Sequence, residues 1–385
     1  MGNYTKWVAA WGNATSIIDQ TACTYAKDIT LRYPVKMCFN GNKIRVRFSN
    51  ISGTEAITIK ASIANGEGGK KQLSSTSSAL TLNGDENIVI EPGQEVTTDA
   101  INYDVTRGQM LSVNIYLPTY TQMNSGVLIT GPLSEGYYSY GNHMNEDELP
   151  MDLTRKTNWF YFLNTIDVFT EETNKALICF GDSITAQSWP DYLTLRLEEM
   201  GITNLSVIRR AISGTRILRE YSCITYAAYG IKGETRFPVE VNTAGASAVI
   251  IQHGINDIIH PVGVDVNPFR PWEDMPTVES MAKGVEDFYV AKARALGLKV
   301  YGGTLLPIYG WRTYADFRDE IRVGFNDWIR SSSLFDGVVD FDNAVADQAD
   351  ARKFADGFDS GDHLHPSESA YKAMAECVPE EFLRQ

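Results

Sequence analysis

Five short apolar segments in the second half of the chain constrain its fold most. Each is compact enough to be a strand buried on both faces of a parallel sheet, and they comprise residues 176–180, 206–208, 248–251, 300–304 and 338–341. Apolar residues between them have helical spacing: one helix is predicted from near Pro190 to Gly201, others across Val278–Phe288 and Ile321–Trp328. This repeated alternation of strand and helix predicts a doubly wound α/β sheet for residues 175–385.

The first part of the chain has the pattern of β-structure instead. Apolar and polar residues alternate around residues 44–48, 57–63 and 111–117, which predicts strands with one buried face. Turns that contain glycine separate these segments. We expect residues 1–140 to form a β-sandwich accessory domain, either a scaffold or a binding module. Residues 141–174 are predicted to be the linker, or crossover, between the two domains.

The charge balance argues against two classes of partner. Acidic residues outnumber basic ones by 48 to 34, and the formal net charge of -14 repels nucleic-acid phosphates and anionic membrane surfaces. The first residues lack the apolar core of a signal peptide, and no later segment is long and apolar enough to span a bilayer. The five cysteines are scattered and odd in number, which favours reduced thiols. We therefore expect a cytoplasmic protein, with secretion as the alternative if a signal peptide has been removed.

Polar residues with catalytic potential follow four of the five predicted strands. Ser183 follows the first strand, Gly214 the second, Asn256 and Asp257 the third, and Asp362 and His365 lie in the loop after the fifth. Ligands bind at the carboxyl ends of strands in sheets of this kind, so we expect these residues to form one site. A serine together with a carboxylate three residues before a histidine provides the parts of a serine-hydrolase triad. His363 is the competing base, but the three-residue spacing from Asp362 favours His365.

The motifs Gly181-Asp182-Ser183, Gly214, Gly254-x-Asn256-Asp257 and Asp362-x-x-His365 resemble, in this order, the four sequence blocks of the SGNH (GDSL) hydrolase superfamily. The β-rich first part is similar to that of two-domain bacterial esterases of this superfamily. The resemblance implies a three-layer, flavodoxin-like hydrolase domain preceded by a jelly-roll-like β-sandwich. It also implies an oxyanion hole formed by the backbone N–H groups of Ser183 and Gly214 and the side-chain amide of Asn256.

The predicted mechanism requires neither a metal nor a cofactor. Ser183 attacks an ester carbonyl, His365 acts as general base, and Asp362 orients the imidazole. Asp182 is expected to be structural, accepting hydrogen bonds from the following turn. Residues that could contact substrate are Trp189, Arg216, His253, His260, Trp272 and Trp311, with core packing or a structural contact as the alternative role for each.

The predicted function is that of a carbohydrate acetylesterase, because the negative surface disfavours lipid interfaces and aromatic side chains in loops stack on sugar rings. A general short-chain carboxylesterase is the alternative within the same chemistry. A non-catalytic carbohydrate-binding protein is the alternative from a different class, although the intact set of catalytic residues argues against it. The expected partner is a small-molecule or oligosaccharide ester, and the sequence leaves open whether the chain forms a homo-oligomer.

Overall fold

The computed structural model of the chain describes residues 2–14, 16–17, 24–220, 231–260 and 272–384. These residues divide into two compact units, one of residues 1–176 and 203–208 and the other of residues 177–202 and 209–385. Cys38, Cys179 and Cys377 are free thiols, whereas Cys23 and Cys223 lie outside the described residues. No described helix combines the length and the apolar character that crossing a bilayer demands.

The first unit is a β-sandwich of antiparallel sheets, as the alternating pattern predicted. Its described strands are β1 (Tyr4–Gly12), β2 (Ser16–Ile17), β3 (Tyr25–Ala26), β4 (Ile29–Lys36), β5 (Gly41–Ser49), β6 (Ile57–Gly68), β7 (Lys71–Leu80), β8 (Ile88–Ile90), β9 (Glu95–Thr97), β10 (Ile101–Val105), β11 (Met110–Leu117), β12 (Thr121–Gln122), β13 (Ser125–Leu128), β14 (Gly136–Tyr140), β15 (Thr154–Thr157), β16 (Trp159–Tyr161) and β17 (Leu163–Glu171). One large sheet has the order β1-β17-β5-β10 with β9 paired to β5. The other has the order β15-β14-β4-β11-β6-β7 with β8 paired to β6.

The segment 141–174, for which a linker was predicted, contributes strands to this unit. β17 lies between β1 and β5 and pairs with both, while β15 pairs with β14. The sequence obscured β17 because polar residues occupy buried positions along it. Asp167 is one of them, and its carboxylate accepts a hydrogen bond from Arg45 at 2.9 Å. The alternation from which the other strands were predicted holds only over residues 165–168, because Asn164 and Thr165 are both polar and Val168 and Phe169 are both apolar.

The second unit contains the predicted α/β sheet. Its strands are β18 (Lys175–Gly181), β19 (Leu205–Ala211), β20 (Ala246–Gln252), β21 (Lys299–Gly303) and β22 (Gly337–Val339), in the order β19-β18-β20-β21-β22. The pairings of β20 with β21 and of β21 with β22 are parallel. The strand order reverses between β18 and β20, and this reversal is the switch point at which doubly wound sheets bind ligands.

Helices cover both faces of this sheet. The described helices are α1 (Ser183–Ala186), α2 (Trp189–Glu199), α3 (Gly233–Glu240), α4 (Ile255–Ile259), α5 (Val278–Gly284), α6 (Ala291–Ala295), α7 (Asp316–Ser331), α8 (Phe341–Val345), α9 (Glu368–Cys377) and α10 (Glu380–Leu383). Successive residues of a strand face opposite sides of a sheet. A Cβ on Gly302 would meet Ile329 of α7, and one on Gly303 would meet Phe341 of α8. α7 and α8 therefore lie on opposite faces, which makes the unit a three-layer α/β domain.

The helix predicted across Val278–Phe288 contains an irregular turn. α5 and α6 are separated by a π-helical turn over Val285–Val290. Met281, Val285 and Tyr289 are buried along this stretch. The wider turn therefore places Tyr289, rather than the predicted Phe288, in the interior.

Candidate active site

The turn that carries Ser183 depends on a glycine at the end of β18. A Cβ on Gly181 would lie 2.5 Å from the carbonyl oxygen of Gln252 and even closer to the Thr185 hydroxyl. Any larger residue would push the turn out of place. Asp182 then caps α1, its carboxylate accepting a hydrogen bond from the backbone N–H of Ile184 at 3.1 Å, as the sequence predicted. Ser183 thus begins a short helix directly at the carboxyl end of a central strand.

Ser183, His365 and Asp362 form a continuous chain of hydrogen bonds. The Ser183 hydroxyl lies 2.8 Å from Nε2 of His365, and Nδ1 of His365 lies 2.6 Å from a carboxylate oxygen of Asp362. Because the ionised carboxylate only accepts, Nδ1 carries the proton and Nε2 of the neutral ring is free to accept one from Ser183. The arrangement has the geometry that general-base activation of a serine requires.

Asp362 remains ionised because its surroundings favour the charged form. Partial burial raises the pKa of this carboxyl, but the hydrogen bonds from the His365 ring and from the backbone N–H groups of His365 and Leu364 outweigh it. The net effect holds its pKa well below the usual value for aspartate. These backbone contacts, 2.8 and 3.0 Å long, also fix the carboxylate beneath the imidazole.

His363, the competing base, lies in a different pair. Its Nδ1 is 2.5 Å from the carboxylate of Asp359, and its ring packs against Gly310, where a Cβ would come within 2.8 Å of it. His363 has a backbone φ of 64°, a left-handed conformation that is uncommon for a residue other than glycine. The structure therefore brings His365, and not His363, to Ser183.

The three predicted oxyanion donors line one cavity of about 230 Å³ that opens over Ser183. Its described lining consists of Ser183, Gln187, Ser213, Gly214, Asn256, His260, Trp311, Arg312, Leu364 and His365. Gly214 has a φ of 78°, a conformation that glycine adopts without strain. Ser183, Gly214 and Asn256 follow β18, β19 and β20, so the three strands on either side of the switch point each supply one donor.

Asp257 holds the loop after Gly214 in position. Its carboxylate accepts hydrogen bonds from the backbone N–H groups of Ile217 and Leu218 at 2.8 and 3.0 Å. Burial raises its pKa to about 6, against the opposing effect of those two hydrogen bonds. The aspartate that follows Asn256 in sequence thus fixes the loop that carries Gly214.

His253 also helps to hold the loop that carries Gly214, and it does so from the interior of the unit. Its Nε2 lies 3.0 Å from the carbonyl oxygen of Thr215, and its Nδ1 lies 2.8 Å from the Tyr289 hydroxyl. Burial, reinforced by the charge of Arg236, holds the pKa of this imidazole well below the usual histidine value. His253 is therefore neutral and buried, and it does not line the cavity.

The other predicted substrate contacts have mixed positions. Trp189 is fully buried, with its ring 5.1 Å from that of Phe341 and its indole N–H donating to Thr185, so it is a core residue. Arg216 is buried, pairs with Asp274 at 3.7 Å and donates to the carbonyl of Glu220. Trp311 does line the cavity. The side chain of Trp272 lies outside the described part of the chain.

Sequence reasoning did not select four of the cavity residues: Gln187, Ser213, Arg312 and Leu364. Gln187 and Ser213 are near neighbours of Ser183 and Gly214, so their proximity to the motifs is the signal that would have found them. Arg312 follows Trp311, but nothing in the sequence distinguishes it from a solvated surface arginine. The loop after β21 brings Arg312 to the cavity, and the sequence does not predict the path of that loop.

Comparison with protein families identifies the second unit. Residues 179–373 match the model of the GDSL-like lipase/acylhydrolase family. No curated protein matches the sequence. The chain belongs to the GDSL-like lipase/acylhydrolase family, and it is a carboxylic ester hydrolase.

Several solved structures are similar to the chain at low identity. An acetylxylan esterase from Geobacillus stearothermophilus is 17% identical, with a TM-score of 0.39, over 55% of this chain and 96% of that one. A family two carbohydrate esterase from Clostridium thermocellum, in complex with cellohexaose, is 12% identical, with a TM-score of 0.35, over 94% of this chain and 93% of that one. A lipase/acylhydrolase from Enterococcus faecalis is 18% identical, with a TM-score of 0.37, over 54% of this chain and 95% of that one.

Proposed function

We propose that the protein removes acetyl groups from acetylated oligosaccharides. The observation that carries this proposal is the composition of the cavity over Ser183. Seven of its ten described lining residues have polar or charged side chains, while Trp311 and Leu364 are its large apolar ones. A long acyl chain needs an extended apolar lining to leave water, whereas an acetyl group needs very little. A polar wall with one indole suits the hydroxyl groups and the flat faces of sugars.

The mechanism follows from the hydrogen bonds already described. Ser183 attacks the acetyl carbonyl while His365 takes its proton, and Asp362 stabilises the imidazolium that forms. The negative charge on the carbonyl oxygen is stabilised by the N–H groups of Ser183, Gly214 and Asn256. His365 then returns the proton to the leaving sugar hydroxyl, and a water molecule activated by the same imidazole releases acetate. Apart from the ester and that water molecule, every group in these steps belongs to this chain.

The test is a substrate panel on the full-length protein. We expect acetate release from acetylated xylo-oligosaccharides with a higher kcat/KM than hydrolysis of p-nitrophenyl butyrate, and abolition of both activities in Ser183→Ala. EDTA should leave the rates unchanged. A preference for butyrate or longer acyl groups would contradict the carbohydrate proposal and leave a general short-chain carboxylesterase. Activity retained by Ser183→Ala would contradict the serine mechanism.

A further inference from the structure

The rim of the cavity carries an exposed arginine beside an aromatic ring. Arg312 and Trp311 both line the cavity over Ser183, and the guanidinium carbon of Arg312 lies 4.9 Å from the centre of the Trp311 ring. An arginine stacked on an indole keeps its N–H groups available at the edge of the plane. Arg312 thus lies at the site with N–H groups that the indole ring does not engage.

Arg312 has no carboxylate partner among the residues that the structure describes. Other arginines of this unit do: Arg352 donates to Asp350 at 2.8 and 2.9 Å, and Arg322 contacts Asp319 and Asp342. The chain has a net charge of -14, so carboxylates are abundant, yet none of those described pairs with Arg312. The positive charge of Arg312 is therefore left for a ligand in the cavity.

Two other cations lie near the loop that carries Arg312, but they are paired with a carboxylate. Tyr309, three residues before Arg312, has Arg352 and Lys353 each 5.0 Å from its ring centre. Asp350 contacts both of these cations, so two positive charges share one carboxylate. Neither Arg352 nor Lys353 lines the cavity, so Arg312 is the one arginine or lysine among the described lining residues.

We propose that Arg312 binds a carboxylate of the substrate, so that the preferred substrates are acetylated oligosaccharides containing uronic acid residues. A guanidinium offers two parallel N–H groups that match the two oxygens of a carboxylate. Stacking on Trp311 reduces the conformational freedom that Arg312 loses on binding. This inference rests on the proposed deacetylation and adds to it the charge of the sugar that the enzyme recognises.

The test compares two acetylated substrates that differ only in charge: O-acetylated trigalacturonate and its carboxyl-reduced counterpart, followed by acetate release. For the wild-type protein we expect kcat/KM to be about five-fold higher on the acidic substrate, the equivalent of about 1 kcal/mol for one ion pair at a solvent-accessible site. The preference should shrink as NaCl rises from about 20 mM to about 500 mM. Arg312→Gln should bring the ratio close to one, and Arg312→Lys should retain part of it. Arg352→Gln, which alters an arginine paired with Asp350, is the matched control and should keep the wild-type ratio.

Three results would overturn the inference, and they distinguish its failure from that of the proposed function. If the wild-type protein deacetylates both substrates with equal kcat/KM, or if Arg312→Gln keeps the preference for the acidic substrate, Arg312 does not bind a substrate carboxylate. The proposed deacetylation would still stand. If neither oligosaccharide is deacetylated while p-nitrophenyl acetate is hydrolysed, the proposed function itself fails, and this inference fails with it.

Discussion

Asn256 donates a hydrogen bond from its side-chain amide to the backbone carbonyl oxygen of Thr215, over 3.2 Å. A carbonyl oxygen only accepts, so the nitrogen of the Asn256 amide, and not its oxygen, faces Thr215. The second N–H of the same nitrogen is left to bind a substrate oxygen. Because Thr215 directly follows Gly214, this contact links two of the three predicted oxyanion donors.

Removing the donor on Asn256 should therefore slow catalysis more than it weakens binding. We expect Asn256→Ala and the isosteric Asn256→Asp to lower kcat for p-nitrophenyl acetate by about 10²- to 10³-fold, with little change in KM, because the oxyanion forms only as the ester is attacked. Steady-state kinetics would measure this. A loss confined to KM would show that Asn256 binds the ground state and would remove it from the oxyanion hole.

The Thr215 carbonyl is also approached by Nε2 of His253, which must carry a proton to donate to it. Nδ1 of this neutral ring then accepts a hydrogen bond from the Tyr289 hydroxyl. The Thr215 carbonyl thus fixes the tautomer of His253, and Tyr289 supplies the donor for Nδ1 of that ring. His253 in turn helps to hold the peptide that orients Asn256. His253 and Tyr289 are positioning residues, since neither lines the cavity.

Tyr289→Phe should lower kcat by about five-fold with KM nearly unchanged, as expected for the loss of one hydrogen bond worth about 1 kcal/mol. Nitrogen NMR of the His253 ring should show the proton still on Nε2, because the Thr215 carbonyl remains, and a shifted Nδ1 resonance, because Nδ1 has lost its donor. Tyr371→Phe is the matched control, because the Tyr371 hydroxyl is buried with no hydrogen-bond partner among the described residues, and it should leave kcat unchanged. An unchanged Nδ1 resonance together with an unchanged kcat in Tyr289→Phe would contradict this role.

The two histidines near the end of the chain provide a direct test of the base. His365→Ala should lower kcat by at least about 10³-fold, since it removes the group 2.8 Å from the Ser183 hydroxyl. His363→Ala should change kcat by no more than about three-fold, because His363 contacts Asp359 instead. Similar losses in both variants would mean that the loop, and not the identity of the base, had been disturbed.

Much of the hydrolase unit was predictable because its strands are continuous apolar runs. The four motifs follow strand ends, and the parallel arrangement makes those ends converge, so Ser183, Asn256 and His365 could be grouped before their distances were known. The β-sandwich strands were predicted wherever burial alternated cleanly. β17 was missed because two polar residues, Asn164 and Thr165, and two apolar ones, Val168 and Phe169, stand side by side and interrupt that alternation.

Contacts across the fold explain what the sequence did not predict. Trp189 and His253 were reasonable substrate contacts from their positions near the motifs, but whether such side chains face a cavity or the core depends on the packing of helices distant in sequence. The π-helical turn that brings Tyr289 to His253 has no distinct sequence pattern. The role of Arg312 depends on whether a carboxylate lies close enough to pair with it, and the spacing of residues along the chain does not reveal which carboxylates are close.

Asp182 illustrates how the site is maintained at some expense of stability. The carboxyl is fully buried beside the nucleophile, and one of its oxygens has no hydrogen-bond partner in the described part of the chain. Burial raises its pKa to about 7, with the Ile184 hydrogen bond and the nearby His365 and Arg236 acting in the opposite direction. In the unfolded chain an aspartate ionises near pH 4. Between these values the unfolded state holds fewer protons than the folded one, so the folded state loses stability as the pH rises.

Replacing the Asp182 carboxyl with a neutral amide should remove the loss of folding stability that accompanies the rise in pH. We expect Asp182→Asn to have a higher free energy of unfolding than the wild type, by a margin that grows from pH 5 to pH 8. The margin should grow by about 2 to 3 kcal/mol, because pH 5 lies about two pH units below the folded-state pKa and each unit contributes about 1.4 kcal/mol. Urea titrations at the two pH values would measure it. The exposed Asp356→Asn is the control and should show no such difference between the two pH values. If the advantage of Asp182→Asn were the same at pH 5 and pH 8, the buried carboxyl would have to be ionised, or neutral, across the whole interval, and the account of burial raising its pKa would be wrong.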